Sequence, residues 1–122
     1  MEQAYKDALN VFRRQAETNA AYLPKVAETL NELGFFYLDA QKLDDAERIF
    51  REALAIGHQL SIGESQEHND ILAQTLVSLS QTVFEKKGAN PESCDFMREA
   101  QEKTLNDDLK KEAQEFLDKH CK

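Results

Sequence analysis

The sequence predicts an all-α fold, a stack of antiparallel helix pairs, on three observations. Only four glycines and two prolines interrupt its 122 residues, and the helix-favouring Ala, Leu, Glu, Gln and Lys, which lose least entropy in that conformation, dominate the rest. Apolar residues recur at three- and four-residue spacing along most of the chain, the period of a helix with one buried stripe. The chain also repeats itself. Residues 26–33, Val-Ala-Glu-Thr-Leu-Asn-Glu-Leu, return at 72–79 as Leu-Ala-Gln-Thr-Leu-Val-Ser-Leu. Ala27, Thr29, Leu30 and Leu33 thereby fall on Ala73, Thr75, Leu76 and Leu79 at a constant offset of 46. A helical repeat of that length marks a stacked array.

Each element follows from its wheel and its punctuation. Residues 4–18 place Tyr5, Ala8, Leu9, Phe12 and Ala16 in one stripe. Residues 23–40 do the same with Ala27, Leu30, Leu33, Gly34 and Tyr37, and Pro24 suits the first turn. Asp44 is expected to cap a third helix carrying Ala46, Ile49, Phe50, Ala53, Leu54 and Ile56, with Gly57 as its stop. Residues 61–68 read as a loop, followed by a fourth helix over about 69–87 that ends at Gly88. Pro91 opens a fifth helix to about 104. A sixth, amphipathic helix over 107–120 presents Leu109, Ala113, Phe116 and Leu117 on one side. No Gly or Pro forces a break near Asn106, so the pattern leaves open whether helices five and six are continuous. Residues 1–122 thus read as one helical-repeat domain of about six helices, closed by a C-terminal capping helix.

Composition excludes several function classes. The formal charge is −8, and no stretch clusters the Lys and Arg that a phosphate backbone or an anionic membrane surface attracts. No apolar run approaches the roughly 20 residues that span a bilayer. The N-terminal residues lack a basic segment followed by an apolar one, so a cytoplasmic compartment is expected. The two cysteines make no disulfide framework. Cys94 falls in an apolar helical pattern and is expected as a small core residue, and Cys121 as an exposed, reduced thiol. His58, His68 and His120 are scattered without metal-ligand spacing, and no phosphate loop or nucleophile elbow occurs. Neighbouring carboxylates such as Asp44/Asp45 and Asp107/Asp108 suit first helical turns, where they oppose the dipole. The expectation is a protein without catalytic residues, metal or cofactor.

Residues 27–58 resemble the tetratricopeptide repeat. Its pattern, Leu-Gly-x2-Tyr on a first helix and Ala-x3-Phe-x2-Ala on a second, stands here as Leu33, Gly34 and Tyr37, then Ala46, Phe50 and Ala53. Residues 19–30 look like the longer bacterial repeats, similar in build to those of kinesin light chains. The first helix matches only a second helix, with Ala8 and Phe12 at the right spacing and Gln15 where a small residue belongs. In the later unit Ser80 replaces the Gly and Val83 the Tyr. Its second helix is out of step by two residues, which puts Cys94 in the Ala role. The resemblance implies a right-handed stack and a protein-interaction adaptor, the partner being a protein or peptide.

It also implies where that partner sits. In this family the face of each first helix beside the core stripe lines a groove. Here that face carries Glu28, Asn31, Phe35 and Leu38 on one first helix and Gln74, Val77, Gln81 and Phe84 on the next. Phe35, Leu38, Val77 and Phe84 suit an apolar peptide or amphipathic helix, whose binding should respond little to salt. Family members that clamp acidic chaperone tails use Lys, Arg and Asn on this face. Phe35 stands where that Asn would follow Gly34, and neither set contains a Lys or Arg, which speaks against that role. Two other readings remain. One is a homodimer, in which the bare first helix or exposed residues such as Val11 attract a second copy. The other is a sensor of a small ligand or peptide signal.

Overall fold

The computed structural model describes residues 1–63 and 65–121. Among them run six helices: α1 (Glu2–Thr18), α2 (Leu23–Asp39), α3 (Leu43–Ser61), α4 (Gln66–Lys87), α5 (Pro91–Lys103) and α6 (Asp107–His120), with a 3-10 turn at Ala20–Tyr22. No strand occurs among the described residues. Each helix packs chiefly on its neighbours in sequence, and α2 also touches α4. That pattern is a stack of hairpins, as the repeat predicts.

Local chemistry sets the boundaries. Asn19 accepts a hydrogen bond from the Ala21 amide at 3.0 Å and turns the chain into α2, where Pro24 lies in the first turn. Gly88, with φ 77°, ends α4 in a backbone conformation that other residues resist. Asn90 then caps α5: its side chain accepts from the Ser93 amide at 3.0 Å, and Ser93 Oγ accepts from the Asn90 amide at 3.3 Å. The question at Asn106 closes in favour of a break. Thr104 is extended, with ψ 148°, and Asn106 caps α6 by accepting from the Leu109 amide at 3.0 Å.

Three boundaries differ from expectation. Asp44 lies inside the first turn of α3, whose N-cap is Lys42. Gly57 is not a stop, because α3 continues to Ser61. Its small size serves a close helix approach instead, since a Cβ there would stand 3.2 Å from Leu72 Cδ1 and 3.4 Å from Leu72 Cα. The stretch expected as a loop over 61–68 is helical at Ser61 and again from Gln66 onward.

The core follows the repeat. Leu33, Gly34, Tyr37, Ala46, Phe50 and Ala53 are all buried, and Phe50 is fully enclosed. Ala27, Thr29 and Leu30 are buried as their counterparts Ala73, Thr75 and Leu76 are. The Tyr37 hydroxyl donates to Glu2 of α1 at 2.7 Å, so the one polar atom of that ring is satisfied. A second cluster gathers Leu72, Ala73, Leu76, Val77, Met97, Ala100 and Ala113, and Leu54 and Phe96 pack against both clusters.

The later repeat is in a different register from the expected one. Ser93, Met97 and Ala100 reproduce the Ala-x3-Phe-x2-Ala spacing, each at 0 % exposure. Ser93, not Cys94, therefore takes the Ala role, and the insertion is one residue. Ser80, standing where the earlier repeat has Gly34, donates its hydroxyl to the Ser93 carbonyl at 2.7 Å. That bond lets a polar side chain sit at a fully buried crossing. At the other end, Gln15 retains the mismatch seen in the sequence. Its Oε1 is sealed without a partner among the described residues, a state that costs about 1–3 kcal/mol.

The cysteines overturn their expectation outright. Cys94 and Cys121 form a disulfide, with Cα atoms 5.8 Å apart. Neither is a free thiol. The bond joins the first turn of α5 to the residue after α6, positions that meet because α6 folds back along α5.

Ion pairs stitch α3 to its neighbours. Lys86 of α4 lies 2.6 Å from Asp44 and 2.7 Å from Glu47, and Arg51 bridges Glu47 to Glu92 of α5 at 2.8 Å each. Arg13 of α1 pairs with Glu52. The hydrogen bond from Lys86, helped by Arg51, holds the Glu47 carboxyl below its ordinary value of 4.5. A depressed carboxylate contributes stability above its unfolded value, and that contribution fades as pH falls through the folded one. Denaturant melts should therefore lose stability below about pH 4.5, and Glu47→Gln should flatten part of that slope. An unchanged slope in the variant would take Glu47 out of the acid response.

Candidate partner-binding groove

The first helices α2 and α4 lie side by side, and the groove expected between them divides into an open and a covered half. Glu28 is half-buried, with Lys25 3.8 Å away. Phe35 is half-buried and meets Phe50 edge-on at 5.7 Å. Gln74 is exposed. Asn31, expected as a surface contact, is only 7 % exposed and lies against Thr75 at 3.0 Å. Leu38 is half-buried against the core and stands outside the cleft.

The α4 residues meet α6 instead of solvent. Val77 is 5 % exposed and belongs to the cluster that contains Ala113. Gln81 donates to Glu112 of α6 at 2.8 Å. Phe84 meets Phe116 edge-on at 5.4 Å and the tilted ring of His120 at 4.4 Å. The amphipathic stripe of α6 thus occupies the surface that was expected to receive a partner at Val77, Gln81 and Phe84.

What stays open is a cleft of about 380 Å³ at the N-terminal halves of α2 and α4. Glu28, Asn31, Phe35 and Gln74 line it, joined by Glu32, Glu67, Asp70 and Ile71, which sequence reasoning missed. Of these only Glu67 fell in the loop assigned to residues 61–68; Glu32, Asp70 and Ile71 lay on helices already expected but were not placed on the groove face. With α4 beginning at Gln66, Glu67, Asp70 and Gln74 fall at helical spacing on one face. Phe35 and the nearly buried Ile71 make its apolar part. Among the described residues, no ion pair engages Glu32, Glu67 or Asp70; Asp70 accepts from Gln66 at 2.9 Å.

The histidines are dispersed here too. His58 contacts Glu99 at 2.7 Å, and a ring nitrogen of His68 lies 3.3 Å from the Leu60 carbonyl. Among the described residues no three His, Cys, Asp or Glu side chains gather as a metal site, and no helix is long and apolar enough to cross a membrane.

Comparison with protein families matches residues 26–68 to the tetratricopeptide repeat. Residues 26–68 carry a tetratricopeptide repeat. The match covers α2, α3 and the start of α4, the segment whose Leu33, Gly34, Tyr37, Ala46, Phe50 and Ala53 form the buried crossing. Comparisons with curated proteins and with solved structures returned no match. Such repeats generally serve as non-catalytic scaffolds that bind proteins, and the cleft lies on the first helix of this one.

Proposed function

We propose that the chain, as a single domain over residues 1–122, is a non-enzymatic protein-interaction module that holds a segment of a partner protein in the cleft between α2 and α4. The observation that carries this reading is the open cleft of about 380 Å³ on the paired first helices, the side tetratricopeptide repeats turn to their partners. It combines an apolar patch at Phe35 and Ile71 with polar groups around it, the usual make-up of a peptide site. The Val77–Phe84 half, covered by α6, drops out of the expected contact surface.

The alternative of a homodimer through α1 has thin support. Outward positions Gln3, Lys6, Asp7, Asn10 and Arg14 are exposed and polar, and Val11, at 53 % exposure, is the one large apolar residue exposed on this helix. The cytoplasmic setting expected from the sequence sits poorly with a persistent Cys94–Cys121 disulfide, because cytosolic thiols are kept reduced. An oxidising compartment suits the pair better.

The test is to select peptides from a random library on the folded domain and titrate the best of them. Phe35→Ala should weaken its binding about thirtyfold, since truncating an aromatic anchor removes ~2 kcal/mol or more. Phe35 also packs on Phe50, so each titration is run below the variant's own melt. Full affinity in Phe35→Ala would move the binding site off this cleft.

A further inference from the structure

We infer that the occupant of this cleft is a basic segment, a Lys- or Arg-bearing stretch with an apolar residue beside the charge; the inference rests on the cleft being the binding site. Glu28, Glu32, Glu67 and Asp70 bring four carboxylates to one opening, over Phe35 and Ile71. Lys25 answers one of them, at the long distance of 3.8 Å. The others have no cation among the described residues, so the cleft holds more negative charge than the fold uses.

Asn31 supplies an independent indication. Its side chain is more than nine-tenths buried and lines the cleft. Thr75 Oγ1 stands 3.0 Å from Asn31 Oδ1 and 2.9 Å from the Ile71 carbonyl. A hydroxyl has one proton and cannot donate to both. Giving that proton to the Ile71 carbonyl makes Oγ1 an acceptor, and exchanging the Asn31 amide's oxygen and nitrogen, an assignment set by the hydrogen-bond network, then satisfies both contacts with the nitrogen on Thr75 and the oxygen outward. That outward atom has no partner among the described residues, yet is not sealed in the core. An acceptor aimed into a cleft of carboxylates leaves the site rich in acceptors. An ammonium or guanidinium group has donors alone and a positive charge, and complements it on both counts. The aliphatic stem of Lys or Arg can lie along Phe35 and Ile71 while the head reaches the carboxylates.

Three capped peptides of alternating residues test this: Leu with Arg, Leu with citrulline, and Leu with Glu. Citrulline keeps the size of Arg and removes its charge. Binding is read by titration and by amide chemical-shift changes at Glu32, Asp70 and Gln74. The Arg peptide should bind at least about tenfold more tightly than the citrulline peptide and weaken as salt rises. Glu32→Gln with Asp70→Asn should reduce that binding about tenfold. Glu102→Gln with Glu115→Gln, an equal charge change at exposed positions away from the cleft, should alter it less than about twofold. Equal loss in the two double variants would reduce the effect to net charge and overturn the inference. Citrulline and Arg peptides bound equally at the cleft amides would overturn the basic partner and leave the cleft standing. Arg-peptide shifts confined to other surfaces, or no binding by any peptide, would remove both.

Discussion

Gly34→Leu is expected to lower the melting temperature by on the order of 10 °C or to prevent folding, the largest effect of any substitution at the helix crossing. A Cβ on Gly34 would stand 2.5, 2.7 and 2.8 Å from Cε1, Cζ and Cδ1 of Phe50. Phe50 is fully buried and braced by the edge of Phe35, so its ring has no empty space to enter. Two effects compete in the milder Gly34→Ala. Helix propensity favours Ala over Gly by about 1 kcal/mol, and overpacking a core costs about 1–3 kcal/mol. Contact this short decides for the second, so even Ala should destabilise. Leu adds three carbons to the same clash. Denaturant melts of Gly34→Ala, Gly34→Leu and the pair Gly34→Ala with Phe50→Leu supply the check. The smaller side chain of the Phe50→Leu change should recover part of the Gly34→Ala loss, because residues in contact couple. A Gly34→Leu protein melting within a degree or two of wild type would mean that α2 and α3 do not cross at this point.

The same crossing explains how much of the fold was legible. Leu33, Gly34, Tyr37, Ala46, Phe50 and Ala53 are each chosen by one close contact between two helices, and sequence spacing encodes such contacts directly. The later repeat was harder because Ser80 replaces glycine and relies on the Ser93 carbonyl, a partner 13 residues away. Without seeing that bond, one extra residue cannot be told from two. The start of α4 was missed for a local reason. Ser61 to His68 contains the residues that prefer loops, and burial of Ile71 and Leu72 overrides that preference. The error concealed Glu67, and with it the row of Glu67, Asp70 and Gln74 that gives the cleft its second acidic side. That α6 lies over Val77 and Phe84 was not legible, because the groove face and the packing face of a first helix look alike until the next helix is placed. Asn31 looked like surface for the complementary reason, since its buried partner Thr75 lies on another helix.

Loss of the Cys94–Cys121 bond is expected to free α6 before the rest of the protein unfolds. The bond closes a loop with a sequence separation of 27, and removing a link of that length costs about 3.5 kcal/mol in the chain-entropy account. For a domain of this size that corresponds to on the order of 10 °C in melting temperature. The loss should not spread evenly. α6 packs on α5 and reaches α4 through side chains alone, and Ala113 is its one buried residue. Its remaining ties are Phe116 and His120 on Phe84, Gln81 to Glu112 and Gln101 to Gln114. Helices with few buried contacts open first. Hydrogen exchange on the oxidised, the reduced and the Cys121→Ser protein should show protection falling over α6 while α2 and α3 keep theirs. Trypsin should then cut near Lys103, at the extended residues 104–106, and leave a shorter folded product. Opening α6 would also uncover Val77, Gln81 and Phe84, lengthening the groove beyond the acidic cleft. Equal α6 protection and equal melts with and without reductant would show that side-chain packing alone holds the helix in place.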